Sequence, residues 1–354
     1  MRLFYLLMLF IVSSLFSCES SAPSKKESKP FDQKQHYETI NLYTYRYFTS
    51  DQELFERLGE QYHIKVEVFK AKGSEILDRL EAEKEDPKAD LVMLENVGLF
   101  AEAKERGLLQ AFASGETDEN IPLKYRDGEN YWVSLTKEMN CLAYNIESVK
   151  PTELVKVADL AKPKWKGQLA LCKGDDRSKS GMLFANMLLS EGERKTKRLL
   201  NGLIKNAQDS LYESEINIIE AIASGEKQVG LLSSSAFIKY KMDGNPEHFQ
   251  NGEKIGLVFS NNDQGRTYVN TTGISIVKNS KNWQMALTLI EFLSSEQYQD
   301  QFANAIRAYP VNPMVIPNDF LISLGGFRES DQELGQVAEQ YSKAKMLMDE
   351  VNWK

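Results

Sequence analysis

Apolar and polar positions along the chain recur with two periods, one typical of strands and the other of helices. Residues 39–42 form a short apolar run, and Leu54, Leu58 and Tyr62 then fall on one helical face. Residues 64–68 alternate apolar and charged positions, as a half-buried strand does. Because strands and helices of this length follow one another, we predict crossover units and mainly parallel sheets in an α/β fold.

The pattern starts a second time in the middle of the chain. Residues 169–172 and 229–232 are apolar runs typical of buried strands, with helical stripes between them. Roughly 315 residues follow the N-terminal segment, which is more than a single hydrophobic core usually spans. We therefore predict lobe 1 from residues 38–143 plus 269–300, lobe 2 from residues 144–268, and a C-terminal helical segment of residues 301–354 that packs on the lobes and the hinge.

The N-terminal segment has the layout of an exported chain. Arg2 precedes an apolar run that ends at Phe16, shorter than the roughly 20 residues of a membrane span, so residues 1–17 are predicted to be a signal peptide. Cys18 after a small residue resembles a bacterial lipobox, which implies a lipid on Cys18; plain secretion with an unmodified thiol is the alternative. Residues 18–37 are rich in Ser, Lys and Pro and predict a flexible tether. We expect a membrane-anchored lipoprotein of the cell envelope, on the periplasmic or cell-surface side.

Composition narrows the classes of function. The formal net charge of −8 argues against a nucleic-acid partner. After the N-terminal segment only Cys141 and Cys172 remain, which is one pair at most and predicts no structural metal site. The chain has no Gly-x-Ser-x-Gly motif, no His-based metal motif and no phosphate-binding loop. We therefore predict that it is not an enzyme and carries no cofactor.

Eight segments, taken in order and spacing, resemble the ferric-ion-binding subfamily of type II periplasmic binding proteins, the substrate-binding components of ferric-iron ABC transporters. The segments are residues 41–47, 64–68, 89–92, 107–110, 162–167, 223–226, 269–273 and 309–313. The resemblance implies two α/β lobes joined by hinge strands, and a cleft between them that closes on a small ligand. It also implies a monomer that delivers this ligand to an ABC permease and its ATPase.

The ferric ligands that the resemblance implies are only partly present. Phenolates and carboxylates are hard oxygen donors that suit a trivalent cation. The family's adjacent Tyr pair falls on Ser235 and Ala236, so both phenols are lost. A His, or a His followed by Tyr, falls on Tyr47 and Phe48, and a Glu that some members use falls on Glu95. The resemblance therefore leaves Tyr47 and Glu95 as metal ligands.

Three tyrosines stand at the end of the first predicted strand. Tyr43, Tyr45 and Tyr47 occupy alternate positions, so we expect the three phenols on one face, with Tyr47 lining the site. One alternative is therefore an iron receptor with a rebuilt ligand set, in which Tyr47 and Glu95 are joined by another Tyr such as Tyr212 or Tyr240.

Other substitutions favour an anionic solute. Arg177, Ser178 and Ser180 precede a helix expected near Met182, where free N–H groups and the helix dipole favour negative charge. Ser233, Ser234 and Ser235 would add hydroxyl donors from the opposite wall of the cleft, and Asn270 and Thr271 would add donors from a hinge strand. The run of three serines also fits a helix N-cap. A sensor or surface protein of the same fold is the remaining alternative. The predicted ligand-binding residues are Tyr47, Glu95, Arg177, Ser178, Ser180, Ser233, Ser234, Ser235, Asn270 and Thr271.

Overall fold

The computed structural model describes residues 37–173, 177–208 and 211–353, and of residues 177–179 it describes only the backbone. The predicted signal peptide and Cys18 lie outside the described residues. Tyr37–Lys354 forms one unit. In the part of the chain that is described, no helix is both long and apolar enough to cross a bilayer.

Short apolar runs form the strands and amphipathic stretches form the helices. The described strands are β1 (Glu38–Thr44), β2 (Ile64–Lys70), β3 (Leu91–Leu94), β4 (Leu109–Gln110), β5 (Val133–Asn145), β6 (Leu169–Cys172), β7 (Leu211–Tyr212), β8 (Val229–Ser233), β9 (Ile255–Phe259), β10 (Val269–Val277) and β11 (Tyr309–Pro310). The described α-helices are α1 (Thr49–Tyr62), α2 (Gly73–Ala82), α3 (Val97–Glu105), α4 (Gly115–Asn120), α5 (Arg177–Glu191), α6 (Glu193–Ala207), α7 (Glu215–Ala223), α8 (Ser234–Lys241), α9 (Pro246–Glu253), α10 (Trp283–Ser294), α11 (Glu296–Ala305), α12 (Asp319–Ser323), α13 (Leu334–Glu339) and α14 (Tyr341–Glu350).

The strands join in the order β2-β1-β3-β10-β5-β8-β6-β7, with β4 beside β10 and with β9 and β11 beside β5. β1 is parallel to β2 and β3, and β6 is parallel to β7 and β8, whereas β10 is antiparallel to β3 and β5. We call β1 to β4 and β10, with their helices, the first lobe, and β6 to β9, with theirs, the second lobe. The predicted two-lobed α/β architecture is confirmed.

β5 and β10 connect the two lobes. The first half of β5 pairs with β10, and its second half, from Asn140, pairs with β8. Two hydroxyl pairs tie β5 to β10, Ser134 with Thr271 and Thr136 with Thr272, each at 2.7 Å. Thr271 and Thr272 are neighbours on β10 and face opposite sides. Ser134 and Thr136 follow them to opposite faces because the register of β5 and β10 shifts by one residue between Thr272 and Gly273. Side-chain hydrogen bonds therefore join β5 and β10 on both faces of the connection between the lobes.

The C-terminal helices pack on both lobes. α13 and α14 lie against α3 of the first lobe and α5 of the second. Tyr341 and Trp353 are buried in the same hydrophobic cluster as Phe100 of α3 and Phe184 of α5. The indole N–H of Trp353 also donates to the backbone carbonyl of Cys172, at the end of β6, at 2.7 Å. The last residues of the chain are therefore part of the core that the lobes share.

Candidate functional site

Glu138 stands at the centre of the candidate site, where β5 passes from one lobe to the other. Its side chain is 8% exposed. One carboxylate oxygen accepts from the side-chain amide of Asn270 on β10 at 2.9 Å, and the other accepts from the hydroxyl of Ser235 in the first turn of α8. A single carboxylate therefore contacts a connecting strand and the second lobe. Glu138 is not among the residues predicted from the sequence, where its only signal is an acidic residue inside a buried strand.

Glu95 brings a second carboxylate to the same place from the first lobe. It follows β3, and the next residue, Asn96, caps α3 with its side chain. The amide of Asn270 that binds Glu138 also donates to the backbone carbonyl of Glu95 at 3.3 Å. The carboxylate of Glu95 lies over Gly73 at the start of α2, where a Cβ would be 2.5 Å from its Oε2. Glu95 is thus within the site, and the absence of a side chain at Gly73 makes room for it.

The phenol beside these carboxylates belongs to Tyr45. Desolvation raises the pKa of Tyr45 to about 12; the charge of Arg46 opposes this rise, and the charges of Glu138 and Glu95 add to it. Thr272 on β10 hydrogen-bonds the same phenol. The phenol is therefore protonated at neutral pH, in an acidic surrounding.

Tyr43 and Tyr47 point away from this cluster. β1 ends at Thr44, so strand alternation does not extend to Tyr47, and the prediction of three phenols on one face is wrong. The Tyr43 hydroxyl donates to Glu83 at 2.8 Å. The Tyr47 ring stacks on Phe55 of α1 with centroids 6.4 Å apart, and burial, with nearby carboxylates of the first lobe, raises its pKa. A ligand role for Tyr47 stays a prediction.

The three predicted serines have different partners. Ser233 is the N-cap of α8, and its hydroxyl donates to Glu215 at 2.9 Å. The Ser234 hydroxyl accepts from the backbone N–H of Met139 at 3.1 Å. Ser235 brings its hydroxyl to the central carboxylate. The helix-cap interpretation therefore describes Ser233, whereas Ser234 holds β5 against α8 and Ser235 belongs to the candidate site.

β10 presents Asn270 and Thr272 to the site and Thr271 to the opposite face. The Thr271 hydroxyl is paired with Ser134 across β5 and β10, so placing Thr271 in the site was wrong, because successive strand residues face opposite sides. Thr272 takes its place beside the phenol of Tyr45. The Oδ1 atom of Asn270 is buried without a hydrogen-bond partner among the described residues. It is available to a ligand that donates a hydrogen bond or carries positive charge.

The predicted anion-binding residues lie in the first turn of α5. α5 covers Arg177–Glu191, so the expected start near Met182 is wrong, because Arg and Ser are compatible with a first helical turn. The side chains of Arg177 and Ser178 lie outside the described residues. Ser180 is 8% exposed. Ligand contacts by these residues stay predictions.

Tyr212 and Tyr240 line a separate cavity of about 760 Å³ on the second lobe. The Tyr212 hydroxyl donates to Glu226 at 2.6 Å, and the Tyr240 ring stacks on His248 with centroids 4.1 Å apart. Neither Tyr47 nor Glu95 lines this cavity, and the rebuilt iron site that includes Tyr212 or Tyr240 stays a prediction. Sequence spacing cannot show this cavity, because Tyr212 of β7 and Tyr240 of α8 are brought to it by the fold.

Two further observations bear on which of the described residues could bind a metal ion. Within residues 37–173, 177–208 and 211–353, no group of three or more His, Cys, Asp or Glu side chains is arranged to hold a metal ion. Cys141 and Cys172 are buried and free, so they do not form a disulfide with each other. The oxygen donors that could hold a cation in the candidate site are the carboxylates of Glu138 and Glu95 and the phenol of Tyr45.

Two lobes joined by crossing strands, with charged and polar groups gathered where they meet, define the class of two-lobed periplasmic binding proteins. The chain matches the family described as bacterial extracellular solute-binding protein over residues 53–327, and it belongs to that family. This is a family of solute-binding proteins and not of enzymes. The predicted type II periplasmic binding fold is confirmed.

Alignments with known proteins cover almost the whole chain. Iron uptake protein A1 of Synechocystis sp. strain PCC 6803 is 29% identical over 340 residues, which covers 96% of this chain and 93% of that protein. The structure of Trichodesmium IdiA (FutA) with iron and citrate superposes with a TM-score of 0.84 and 29% identity over 89% of this chain and 100% of that one. The ferric binding protein from Campylobacter jejuni superposes with a TM-score of 0.83 and 26% identity over 89% of this chain and 100% of that one. The predicted resemblance to ferric-iron-binding periplasmic proteins is confirmed.

Proposed function

We propose that this chain is the solute-binding receptor of an ABC importer, which captures a ligand between its lobes and delivers it to a permease without making or breaking bonds. Residues 38–143 plus 269–300 and residues 144–268 would move as two bodies about β5 and β10. A ligand at Glu138 touches groups of both bodies, so its binding favours the closed arrangement. A lipid on Cys18 and a tether of residues 18–37 would keep this monomeric receptor at the envelope membrane.

The ligand that the geometry supports best is a ferric cation, alone or in a small complex. The observation that carries this proposal is the pair of carboxylates, Glu138 and Glu95, whose charges both act on the phenol of Tyr45. The amide of Asn270 joins them indirectly, because it donates to the carboxylate of Glu138 and to the backbone carbonyl of Glu95. Two negative charges in a site of low dielectric favour a cation and oppose an anion. Carboxylates and the phenol of Tyr45 are hard oxygen donors, the kind that a hard trivalent cation prefers.

The phenol gives this binding a characteristic pH dependence. Because the pKa of Tyr45 is about 12, ferric ion must displace a proton from the phenol before the oxygen can coordinate. Binding of ferric ion therefore releases a proton, and the apparent affinity rises with pH while the ferric ion is kept soluble as its citrate complex.

A pair of tyrosine variants tests the proposal. Ferric citrate is added to the full chain, and a visible phenolate-to-iron charge-transfer band is followed. We expect the band in the wild type and in Tyr47→Phe, and we expect it to disappear in Tyr45→Phe. A band that survives in Tyr45→Phe and is lost in Tyr47→Phe contradicts this ligand assignment. A colourless wild type that does not bind ferric citrate contradicts ferric binding altogether.

The central carboxylate is tested in the same titration. Glu138→Gln keeps the size of the side chain and removes its charge, and we expect at least about a tenfold loss of ferric affinity. Glu119→Gln removes an exposed carboxylate of α4, and its affinity is expected to equal that of the wild type. Equal affinities for both variants contradict a ligand role for Glu138.

An anionic solute is the second candidate, and α5 supports it. This helix of 15 residues follows β6, and the first turn of a helix favours negative charge. If the ligand is an anion, Arg177→Ala and Ser235→Ala are expected to weaken its binding with little change in thermal stability. Native mass spectrometry of protein purified from its own host, with ferric ion or an organic anion retained, separates the two candidates.

A further inference from the structure

The ring of Tyr341, the first residue of α14, lies between one helix of each lobe. It is 3% exposed. A Cβ added to Gly98 of α3 would be 2.2 Å from Cγ of Tyr341, and a Cβ added to Gly181 of α5 would be 2.9 Å from its Cε2. Two glycines from different lobes therefore form the surfaces on which one ring is packed.

Both glycines lie close in sequence to the candidate ligand site. Gly98 is the second residue of α3, three positions after Glu95, and Gly181 is in the second turn of α5, next to the buried Ser180. A change in the packing of Tyr341 would therefore displace the N-terminal parts of α3 and α5 relative to each other. Since Glu95 is joined directly to the start of α3, its carboxylate would move with that turn.

The rest of the C-terminal segment is bound to both lobes. Lys345 pairs with Glu102 of α3 at 3.3 Å, and Lys343 pairs with Glu193 of α6 at 2.7 Å. At the end of the segment, the indole of Trp353 is bound to the second lobe through the carbonyl that closes β6. These contacts keep Tyr341 between the lobes, because the segment that begins with Tyr341 is bound to α3 of the first lobe and to α6 and β6 of the second.

We propose that Tyr341 is a positioning residue that sets the relative placement of α3 and α5, and thereby the separation of the ligand groups that the two lobes contribute. The proposal rests on the proposed function, because it assigns Tyr341 to the same interlobe site. A rigid aromatic ring packed against two glycine backbones has little room to adjust, since close-packed interiors transmit displacement. Loss of the ring leaves the lobes free to take other separations.

Two matched tyrosine variants test this in the full chain. Tyr341→Leu removes the ring between the lobes. Tyr298→Leu removes a comparably buried ring, 8% exposed, that packs on Phe292 inside the first lobe. Small-angle X-ray scattering of the protein without added metal gives the radius of gyration, and titration with ferric citrate gives the affinity. Urea unfolding shows how much stability each variant has lost.

We expect Tyr341→Leu to change the radius of gyration and to weaken ferric binding at least about fivefold, the lower end of common coupling between sites. Tyr298→Leu is expected to lose stability while both readouts stay at their wild-type values. A scattering profile of Tyr341→Leu identical to the wild type overturns the proposal, and so does an equal change in Tyr298→Leu. If the wild type does not bind ferric citrate, the ferric proposal fails, and the scattering comparison alone decides the role of Tyr341.

Discussion

Glu329 offers a quantitative prediction about how the C-terminal segment is held. Its carboxylate accepts hydrogen bonds from Lys124 and Tyr125 of the first lobe and from Lys137 of β5. Burial by itself would raise the pKa of Glu329, but the charge of Lys137 and these hydrogen bonds outweigh burial and lower the pKa to about 2. Glu329→Gln keeps the shape of the side chain and removes the charge that the lysines bind.

The magnitude follows from the pKa. A fall from the ordinary 4.5 to about 2 corresponds to about 3 kcal/mol at about 1.4 kcal/mol per pKa unit, and this is an upper value because the side chain is 18% exposed. A carboxyl group with a lowered pKa contributes stability above its ordinary pKa. That contribution is lost as the pH falls from about 4.5 to about 2.

The assay is urea unfolding of the full chain at pH 7, 5 and 3. At pH 7 we expect Glu329→Gln to be less stable than the wild type by up to about 3 kcal/mol, or about 1 M in the urea midpoint. The gap should narrow at pH 3, because the unfolded wild type, with its ordinary pKa near 4.5, then binds a proton at Glu329 that the folded state does not, and this favours unfolding. Glu119→Gln, an exposed substitution, should follow the wild type at each pH. A gap between Glu329→Gln and the wild type that is constant from pH 7 to pH 3 would refute the reasoning.

Three further predictions concern single positions. Gly73→Ala places a Cβ 2.5 Å from Oε2 of Glu95 and is expected to weaken ferric citrate binding, whereas Gly115→Ala, where a Cβ meets no atom within 4 Å, should bind as the wild type does. Burial raises the pKa of the Cys141 thiol, so iodoacetamide should modify it only after unfolding, and rapid modification of the folded chain would contradict its burial. Leu142→Ala empties a fully buried position and should cost about 2–5 kcal/mol in urea unfolding; a loss below 1 kcal/mol would contradict its place in the core.

The sequence carried most of the fold because its signals are local. The apolar run at residues 39–42, the helical stripe through Leu54 and Leu58, and the alternation of residues 64–68 correspond to β1, α1 and β2. Local patterns do not show how strands are ordered across two lobes. That order was predicted from the resemblance to type II periplasmic binding proteins. The start of α5 was placed about five residues too late, because a first helical turn tolerates polar residues that are also typical of loops.

The candidate site was harder to predict because its residues are brought together over long distances in the chain. Glu138 is linked to Ser235 and Asn270, which lie 97 and 132 positions further along the chain. The place of Tyr45 beside Glu138 was missed for a smaller reason, since β1 ends at Thr44 and strand alternation does not describe the residues after it. No motif marks either fact, and each depends on tertiary contacts.

The position of β10 in the sheet has a consequence for how the chain folds. β10 lies between β3 and β5, so the sheet of the first lobe is incomplete until residues 269–277 have been synthesised. The segment from β6 to β9 is contiguous and can assemble earlier. Pairings between distant parts of a chain are slow to form, so the second lobe is expected to acquire protection from hydrogen exchange before the first lobe does.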